Sequence, residues 1–290
     1  MNPVLEKATH IIPDKLYLRL KFRQRMGKWP HLNHPQTFNE KLQWIKLNDR
    51  NPLYTKLVDK YEAREFLARE LGEDHLVRLL GVWEHFDDIP FEALPNQFVL
   101  KCTHDSGGLV ICRDKSKLDI SEAKQKIESS QKRNYYWHGR EWPYKDCKPR
   151  IICETFLEDG GHLGLTDYKF FCYNHIPKFV SVSSGLENHK TAEVSFYDLE
   201  GNPMPFKRSD FKPRKGKMVF PDNFGEMRAI ARKLAESIPA SFVRIDLFSI
   251  KGKIYTSEIT FSPCSGFLPF EPEEWDRILG DEIKLPKLEQ

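Results

Sequence analysis

Phe242-Val-Arg-Ile-Asp246-Leu-Phe-Ser-Ile-Lys-Gly252-Lys-Ile-Tyr-Thr-Ser-Glu258-Ile-Thr260 alternates apolar and polar side chains on both sides of Lys251-Gly252. Such alternation predicts two strands joined by a tight turn. Phe242, Arg244, Asp246 and Phe248 then share one face of the first strand. Thr256, Glu258 and Thr260 share one face of the second. A hairpin centred on Gly252 sets Asp246 opposite Glu258 and Arg244 opposite Thr260. Two carboxylates facing each other repel. A hard cation such as Mg²⁺, which takes oxygen ligands, reverses that sign. A solvent-facing pair of acids fits the hairpin equally well, and a one-residue slip of register would separate the two.

With 290 residues, 40% hydrophobic and 30% charged, the chain suits one large domain or two lobes. No apolar run approaches the length of a membrane span, and residues 1–10 lack the apolar core of a signal peptide. The cysteines (Cys102, Cys112, Cys147, Cys153, Cys172, Cys264) form no Cys-x-x-Cys pair. That pattern points to a reducing cytosol, with neither a zinc site nor a disulfide framework. Lys15, Arg19, Lys21, Arg23, Arg25 and Lys28 crowd one early segment, interleaved with Leu16, Tyr17, Leu18, Leu20 and Phe22. This reads as a helix packed on the protein body with a solvated basic face. The alternative is peripheral contact of residues 15–28 with an anionic membrane or a phosphorylated acceptor.

Residues 1–50 read as helical, interrupted by prolines, with a capping box at Thr37-Phe-Asn-Glu40. Residues 54–71 read as one amphipathic helix. Strands are expected at 76–82, 97–103, 109–112, 150–157, 167–173 and 176–183, and helices near 119–131 and 223–237. Residues 134–149 and 185–222 look irregular. Helices and antiparallel strands mixed in this order give an α+β class.

Lys101 on a strand ahead of Asp105-Ser106-Gly107-Gly108 suits nucleotide phosphates. Lysine supplies a point charge, and glycine lets backbone N–H groups approach oxygen. An ordinary hairpin with a surface lysine has the same pattern. Glu154 ends an apolar strand and leads toward Gly160-Gly161, with Phe156 and Leu157 offering apolar contact to a ring. Asp167 and Lys169 share one face of a third strand. No Walker A and no Gly-x-Gly-x-x-Gly sequence occurs.

In that order (basic strand with glycine loop, Glu-ended strand, Asp-x-Lys strand, Asp/Glu hairpin) the chain resembles the ATP-grasp superfamily. Over residues 55–270 it is most similar to the TupA-like branch linked to surface-polysaccharide gene clusters. The resemblance implies two α+β lobes gripping ATP, preceded by a helical segment. Residues 1–50 would form that extension, 51–149 the part bearing the phosphate loop, and 150–290 the lobe with the metal site. It implies that Lys60 and Lys101 bind nucleotide phosphates and that Ser106, Gly107 and Gly108 close over them. Glu154, Phe156 and Leu157 would form the adenine hinge. Asp167 and Lys169 would lie near the ribose and γ-phosphate. Arg244 would contact the acyl substrate and the transferring phosphoryl group, with Lys169 as its catalytic partner. Asp246 and Glu258 would ligate Mg²⁺. The second metal motif of the superfamily is usually Glu-x-Asn. Here it is Glu258-Ile-Thr260, and a threonine hydroxyl is the weaker ligand. Ser262, Ser265 and Gly266 fall where such enzymes hold a substrate carboxylate or amine.

The implied activity is ATP-dependent carboxylate–amine ligation, joining an amino acid or other amine to a uronic-acid sugar. The partners would be small molecules, a nucleotide-sugar or a lipid-linked glycan, and not nucleic acid. The setting would be the cytoplasm, at the inner face of the membrane if residues 15–28 touch it. The loop with Arg140, Glu141 and Tyr144 reads equally as a sugar or amino-acid pocket and as an anchored surface loop. Rival functions are a glycosyltransferase, although no Asp-x-Asp occurs, and a non-catalytic nucleotide- or glycan-binding module.

Overall fold

The computed structural model describes residues 9–160, 164–186 and 190–287. Residues 1–8 and Gly161, read above for a leader and a glycine pair, lie outside them. The chain forms two compact units. One comprises residues 51–157, and the other residues 1–50 with 158–290.

The 51–157 unit holds a four-stranded antiparallel sheet. Its strands are β1 (Leu79–Trp83), β2 (Phe98–Cys102), β3 (Leu109–Cys112) and β4 (Ile151–Thr155), in the order β1-β4-β2-β3. Period-two alternation sends Phe98, Leu100 and Cys102 into a core with Val110, Cys153 and Ile127. Lys101 therefore lies on the opposite face. Helix α1 of this unit (Pro52–Val58) and helix α2 (Ala63–Leu71) replace the single helix expected over 54–71. The break has a local cause. Asp59 turns its carboxylate onto the N–H groups of Tyr61 and Glu62 at 2.8 and 3.0 Å and starts a new helix. Helix α3 (Ile120–Gln131) covers the core face, capped by Asp119. A short helix at Tyr136–Gly139 and a 3₁₀ turn at Trp142–Tyr144 occupy the stretch that reads as irregular.

The other unit is built on a five-stranded antiparallel sheet. Strands β5 (Asp167–Tyr173), β6 (Ile176–Ser184), β7 (Glu193–Asp198), β8 (Phe242–Ile250) and β9 (Lys253–Thr260) lie in the order β9-β8-β5-β6-β7. The edge strand β7 falls inside the stretch that reads as irregular. Its six residues are too short a signal among the surrounding prolines. Helix α4 (Phe224–Ser237) lies across β5, β6 and β8 and buries Met227, Ile230, Ala231 and Leu234.

On the opposite face the early residues complete the core. Helix α5 (Phe38–Asn48) begins with the expected capping box: Thr37 Oγ1 accepts from Glu40 N, and Glu40 Oε2 accepts from Thr37 N. Phe38 meets Phe171, Tyr173, Phe242 and Phe270 with ring centroids 5.1–6.4 Å away. Burying a side chain of this size stabilises by about 1.5–3 kcal/mol. Asn39 is buried beside it. It accepts from Leu268 N at 2.7 Å and donates to Leu268 O at 2.9 Å and Asp276 Oδ1 at 2.8 Å. Asp276 belongs to helix α6 (Glu274–Glu282). Helix α7 (Asp14–Met26) packs Tyr17, Leu18 and Phe22 against Phe267. Among the described residues no helix is long and apolar enough to cross a membrane.

Asn39→Ala strands the Leu268 N–H and carbonyl, while Asp276 keeps the Asn39 N–H, and is expected to cost about 3 kcal/mol. Leu20→Ala, at the exposed face of α7, is expected to stay within about 0.5 kcal/mol. Urea unfolding of both variants checks the contrast.

Candidate active site

The β8–β9 hairpin turns at Lys251 and Gly252, both with positive φ (50° and 80°), as a type I′ turn requires. Ile250 pairs with Lys253, so the hairpin is centred between the two turn residues and not on Gly252. That register continued would set Asp246 against Ser257. A bulge between Thr256 and Glu258 takes up Ser257 as an extra residue. Beyond it, Glu258 faces Asp246 and Thr260 faces Arg244. The expected pairs therefore form, through a bulge instead of a shifted turn. On the other flank of β8, Lys169 of β5 faces Asp246. Three strands thus bring Asp167, Lys169, Arg244, Asp246, Glu258 and Thr260 to one face.

These side chains form an ionic network. Arg244 grips Asp246 with two hydrogen bonds, Nε to Oδ1 at 2.7 Å and Nη2 to Oδ2 at 2.6 Å. The same Nη2 donates to Thr260 Oγ1 at 3.1 Å and lies 3.6 Å from Glu258 Oε2. Lys169 Nζ lies 3.0 Å from Asp246 Oδ2 and 3.2 Å from Asp167 Oδ2. Asp246 is 1% exposed. Burial alone pushes its carboxyl up, but the Arg244 and Lys169 cations override that and hold it below the ordinary value of 3.8. Burial raises the Asp167 carboxyl, and Lys169 offsets only part of the rise. For Lys169, burial acts downward and the two aspartates outweigh it, so its pKa is raised. Arg244 is pushed the same way by Asp246, against burial.

Three carboxylates against two cations leave this face able to take a further cation. Mg²⁺ is held through one or two carboxylates, with phosphate and water oxygens completing its shell. Asp246 and Glu258 match that donor set. Among the described residues no group of three or more His, Cys, Asp or Glu forms a self-sufficient metal cage. Two carboxylates fit a metal whose shell phosphate oxygens complete. Thr260 is engaged with Arg244, which gives it an orienting part.

In the 51–157 unit, Lys101 Nζ lies 2.7 Å from Glu154 Oε2, and Arg64 Nη1 lies 3.1 Å from Oε1. Glu154 is 6% exposed. Lys60 donates from N to Thr103 O at 3.0 Å and from Nζ to Asp105 O at 2.7 Å. Asp59 also accepts from Thr103 Oγ1 at 3.0 Å. Lys60 is thus fixed to the chain that opens the glycine loop. In that loop Ser106 and Gly107 are exposed and Gly108 is buried. A Cβ at Gly108 would lie 2.4 Å from Ser130 Oγ and 2.7 Å from Cys102 Sγ, so only glycine fits. Ser130 donates to Asp105 Oδ2, and Arg133 Nη2 lies 3.2 Å from the same oxygen. The loop is therefore latched to α3 while its tip stays exposed. Phe156 and Leu157 follow β4 half-buried, with the Arg113 guanidinium 5.5 Å from the Phe156 ring centroid.

The remaining predicted residues lie in two other segments, one in each unit. Arg140 is 1% exposed and stacks over Trp137, 4.4 Å from the ring centroid, with Glu141 and Tyr144 buried nearby in sequence. Ser262 precedes the 3₁₀ turn Pro263–Gly266, and its carbonyl accepts from Ser265 N at 2.8 Å. The Ser265 carbonyl accepts from Lys46 Nζ at 2.9 Å, and the Gly266 carbonyl accepts from Gln43 Nε2 at 2.6 Å. This turn docks onto α5. Asp59, Arg64, Thr103 and Asp105 were missed as site residues. Only Asp59, directly before Lys60, carried a sequence signal, that of a helix cap. Ser183 was missed too. It pairs with Asp167 in the sheet, and its buried Oγ has no hydrogen-bond partner among the described residues.

A family model described as TupA-like ATP-grasp matches residues 40–284. No curated protein matches the chain significantly. Among solved structures, D-alanine–D-alanine ligase from Helicobacter pylori is 14% identical. The likeness covers 85% of this chain and 69% of that one, with a TM-score of 0.47. The same enzyme from Bacillus anthracis, complexed with ATP, is 14% identical over 78% and 64%, with a TM-score of 0.45. L-amino acid ligase from Bacillus licheniformis is 14% identical over 94% and 63%, with a TM-score of 0.48. The chain thus spans about two thirds of the length of these enzymes.

Because the Asp246 carboxyl is held low, its contribution to stability is complete above pH 3.8 and is lost as pH falls through its lower folded value. Arg244→Met leaves that buried charge with Lys169 alone. It is expected to cost about 3 kcal/mol at neutral pH. The penalty is expected to shrink at a pH below the lowered folded value, where the carboxyl is protonated. Urea titrations at the two pH values measure this; a penalty independent of pH contradicts the assignment.

Proposed function

The chain belongs to the TupA-like ATP-grasp family, and on that premise we propose that it is an ATP-dependent carboxylate–amine ligase of surface-polysaccharide synthesis. The observation that carries the reading is the Lys169–Asp246–Arg244–Glu258 network on one sheet face. It concentrates charge of the kind phosphoryl transfer needs, with no serine or cysteine nucleophile among its members.

The reaction has two steps. A substrate carboxylate oxygen attacks the γ-phosphorus of ATP, the bond to the β–γ bridging oxygen breaks, and ADP leaves. The product is an acylphosphate. An amine nitrogen then attacks the acyl carbon, phosphate departs with the former C–O bonding pair, and the nitrogen gives up a proton. When bound, Mg²⁺ neutralises charge on the β- and γ-phosphate oxygens, and Asp246 and Glu258 are the residues that would hold it. Arg244, fixed by Asp246 and Thr260, places a permanent positive charge beside the transferring group. Lys169 adds a second, and Asp167 holds its ammonium in place. Lys60 and Lys101 pair with phosphates, Ser106–Gly108 cover them, and Glu154, Phe156 and Leu157 receive adenine. The ion pair with Glu154 also aims Lys101. The TupA-like resemblance favours a uronic-acid carboxylate on a nucleotide-sugar or lipid-linked glycan, and an amino acid or other amine as its partner, in the cytoplasm. Ser262, Ser265, Gly266 and the Arg140 loop remain the proposed substrate contacts.

The test is ADP release screened over amino acids against uronic-acid nucleotides, with the amide identified by mass spectrometry. A charge pair near 4 Å contributes about 4 kcal/mol at an effective dielectric near 20. Lys101→Ala should therefore slow turnover by up to about several hundred-fold. Glu258→Gln and Asp246→Asn should be slower still, with native circular dichroism. Wild-type ADP release by both variants removes the assignment. UDP-sugar hydrolysis without ATP turnover points to a glycosyltransferase instead.

A further inference from the structure

Helix α7 buries Tyr17, Leu18 and Phe22 and presents its other side outward. That outer side is not simply polar. Lys15, Arg19 and Arg23, four residues apart, form one exposed ridge. Leu16 and Leu20 form a parallel ridge beside it, 49% and 48% exposed. Ile11, just before the helix, is 87% exposed, and Trp29, just after it, is 51% exposed. The Arg19 guanidinium lies 5.8 Å from the Trp29 ring centroid, so the tryptophan joins the same surface.

Charge is concentrated here. Residues 14–29 contain six Lys and Arg and one acidic residue, Asp14, a net of +5, while the whole chain carries +3. The remainder is therefore −2. Lys28 is engaged with Glu273 at 2.6 Å, and Asp14 lies 3.9 Å from Arg50. Neither pairing involves the Lys15–Arg19–Arg23 ridge, although Lys15 also donates to Asn33 Oδ1 at 2.9 Å. Single exposed leucines are ordinary. Aligned leucines and a tryptophan flanked by a cationic ridge match the requirements of a lipid interface: apolar side chains to enter it and basic ones to meet anionic headgroups.

We propose that the outward face of α7, with Ile11 and Trp29, docks this protein on an anionic bilayer surface. The basic ridge lies against the headgroups, and Leu16, Leu20 and Trp29 insert at their base. The inference is independent of the ligase reading, since none of these residues belongs to the proposed site.

Full-length protein is sedimented with vesicles of phosphatidylcholine alone and of phosphatidylcholine with phosphatidylglycerol. Binding is expected only to the second, and release at about 1 M salt, where the Debye length is about 3 Å. Arg19→Glu with Arg23→Glu should weaken binding at least about tenfold. Leu16→Ser with Leu20→Ser, which leaves charge unchanged, should also weaken it at least about tenfold. Both pairs are exposed and should keep the wild-type melting curve. No sedimentation with anionic vesicles overturns the proposal, as does sedimentation that neither pair alters. A vesicle-free dimer that Leu16→Ser with Leu20→Ser converts to monomer also overturns it, because a second copy would then be the occupant.

Discussion

Burying the Asp246 carboxylate among β-strands would cost several kcal/mol if it stood alone. It does not stand alone, because Arg244 two residues earlier on β8 grips both its oxygens and Lys169 on β5 approaches from the other flank. This double clamp needs the three strands in one register. A slip of one residue would carry the Asp246 side chain to the face that packs on α4. The clamp and the register therefore depend on each other, and so do Glu258 and Thr260, which the bulge at Ser257 returns to the same face. The proposed chemistry follows from that constraint: fixed cations and carboxylates ask little reorganisation of the protein when phosphate charge develops.

The polar face is bordered by aromatic packing on the same sheet. Along β5 the residues after Asp167 and Lys169 on that face are Phe171 and Tyr173, and on β8 Phe242 precedes Arg244. Phe38 and Asn39 seal this region from the opposite end of the sequence. Helix α5 is thus part of the core that supports the ionic network. In the 51–157 unit a similar economy holds. The break at Asp59 that ends one helix also starts the next and anchors Lys60. Gly108 lets the loop close onto Ser130.

Local signals in the sequence were legible because local physics decides them. The hairpin, the capping box at Thr37 and the helix at 224–237 depend on neighbours within a few residues. The carboxylate pair was legible too, though by an incorrect centre; the bulge that corrects it shows only as a change of phase, which puts Ile254 and Ile259, five residues apart, on one face and Thr256 on the face opposite Glu258. Non-local pairing was not legible. Nothing in residues 167–173 says that β5 lies against β8, nor in 151–155 that β4 runs between β1 and β2. Arg64 looked like any charged residue on an amphipathic helix until Glu154 was brought to it. Tyr144 and Glu141 read equally as pocket and as surface loop; both are buried, because the aromatic run packs on itself and Trp142–Tyr144 packs on α1.

Asp246 and Glu258 are proposed to hold a metal that arrives with ATP. Crystals soaked with Mn²⁺ and a non-hydrolysable ATP analogue test it most directly. Anomalous scattering is predicted to place the metal against the carboxylates of Asp246 and Glu258, bridged to phosphate oxygens. A metal peak elsewhere, with the Asp246–Arg244–Lys169 clamp untouched, would contradict it.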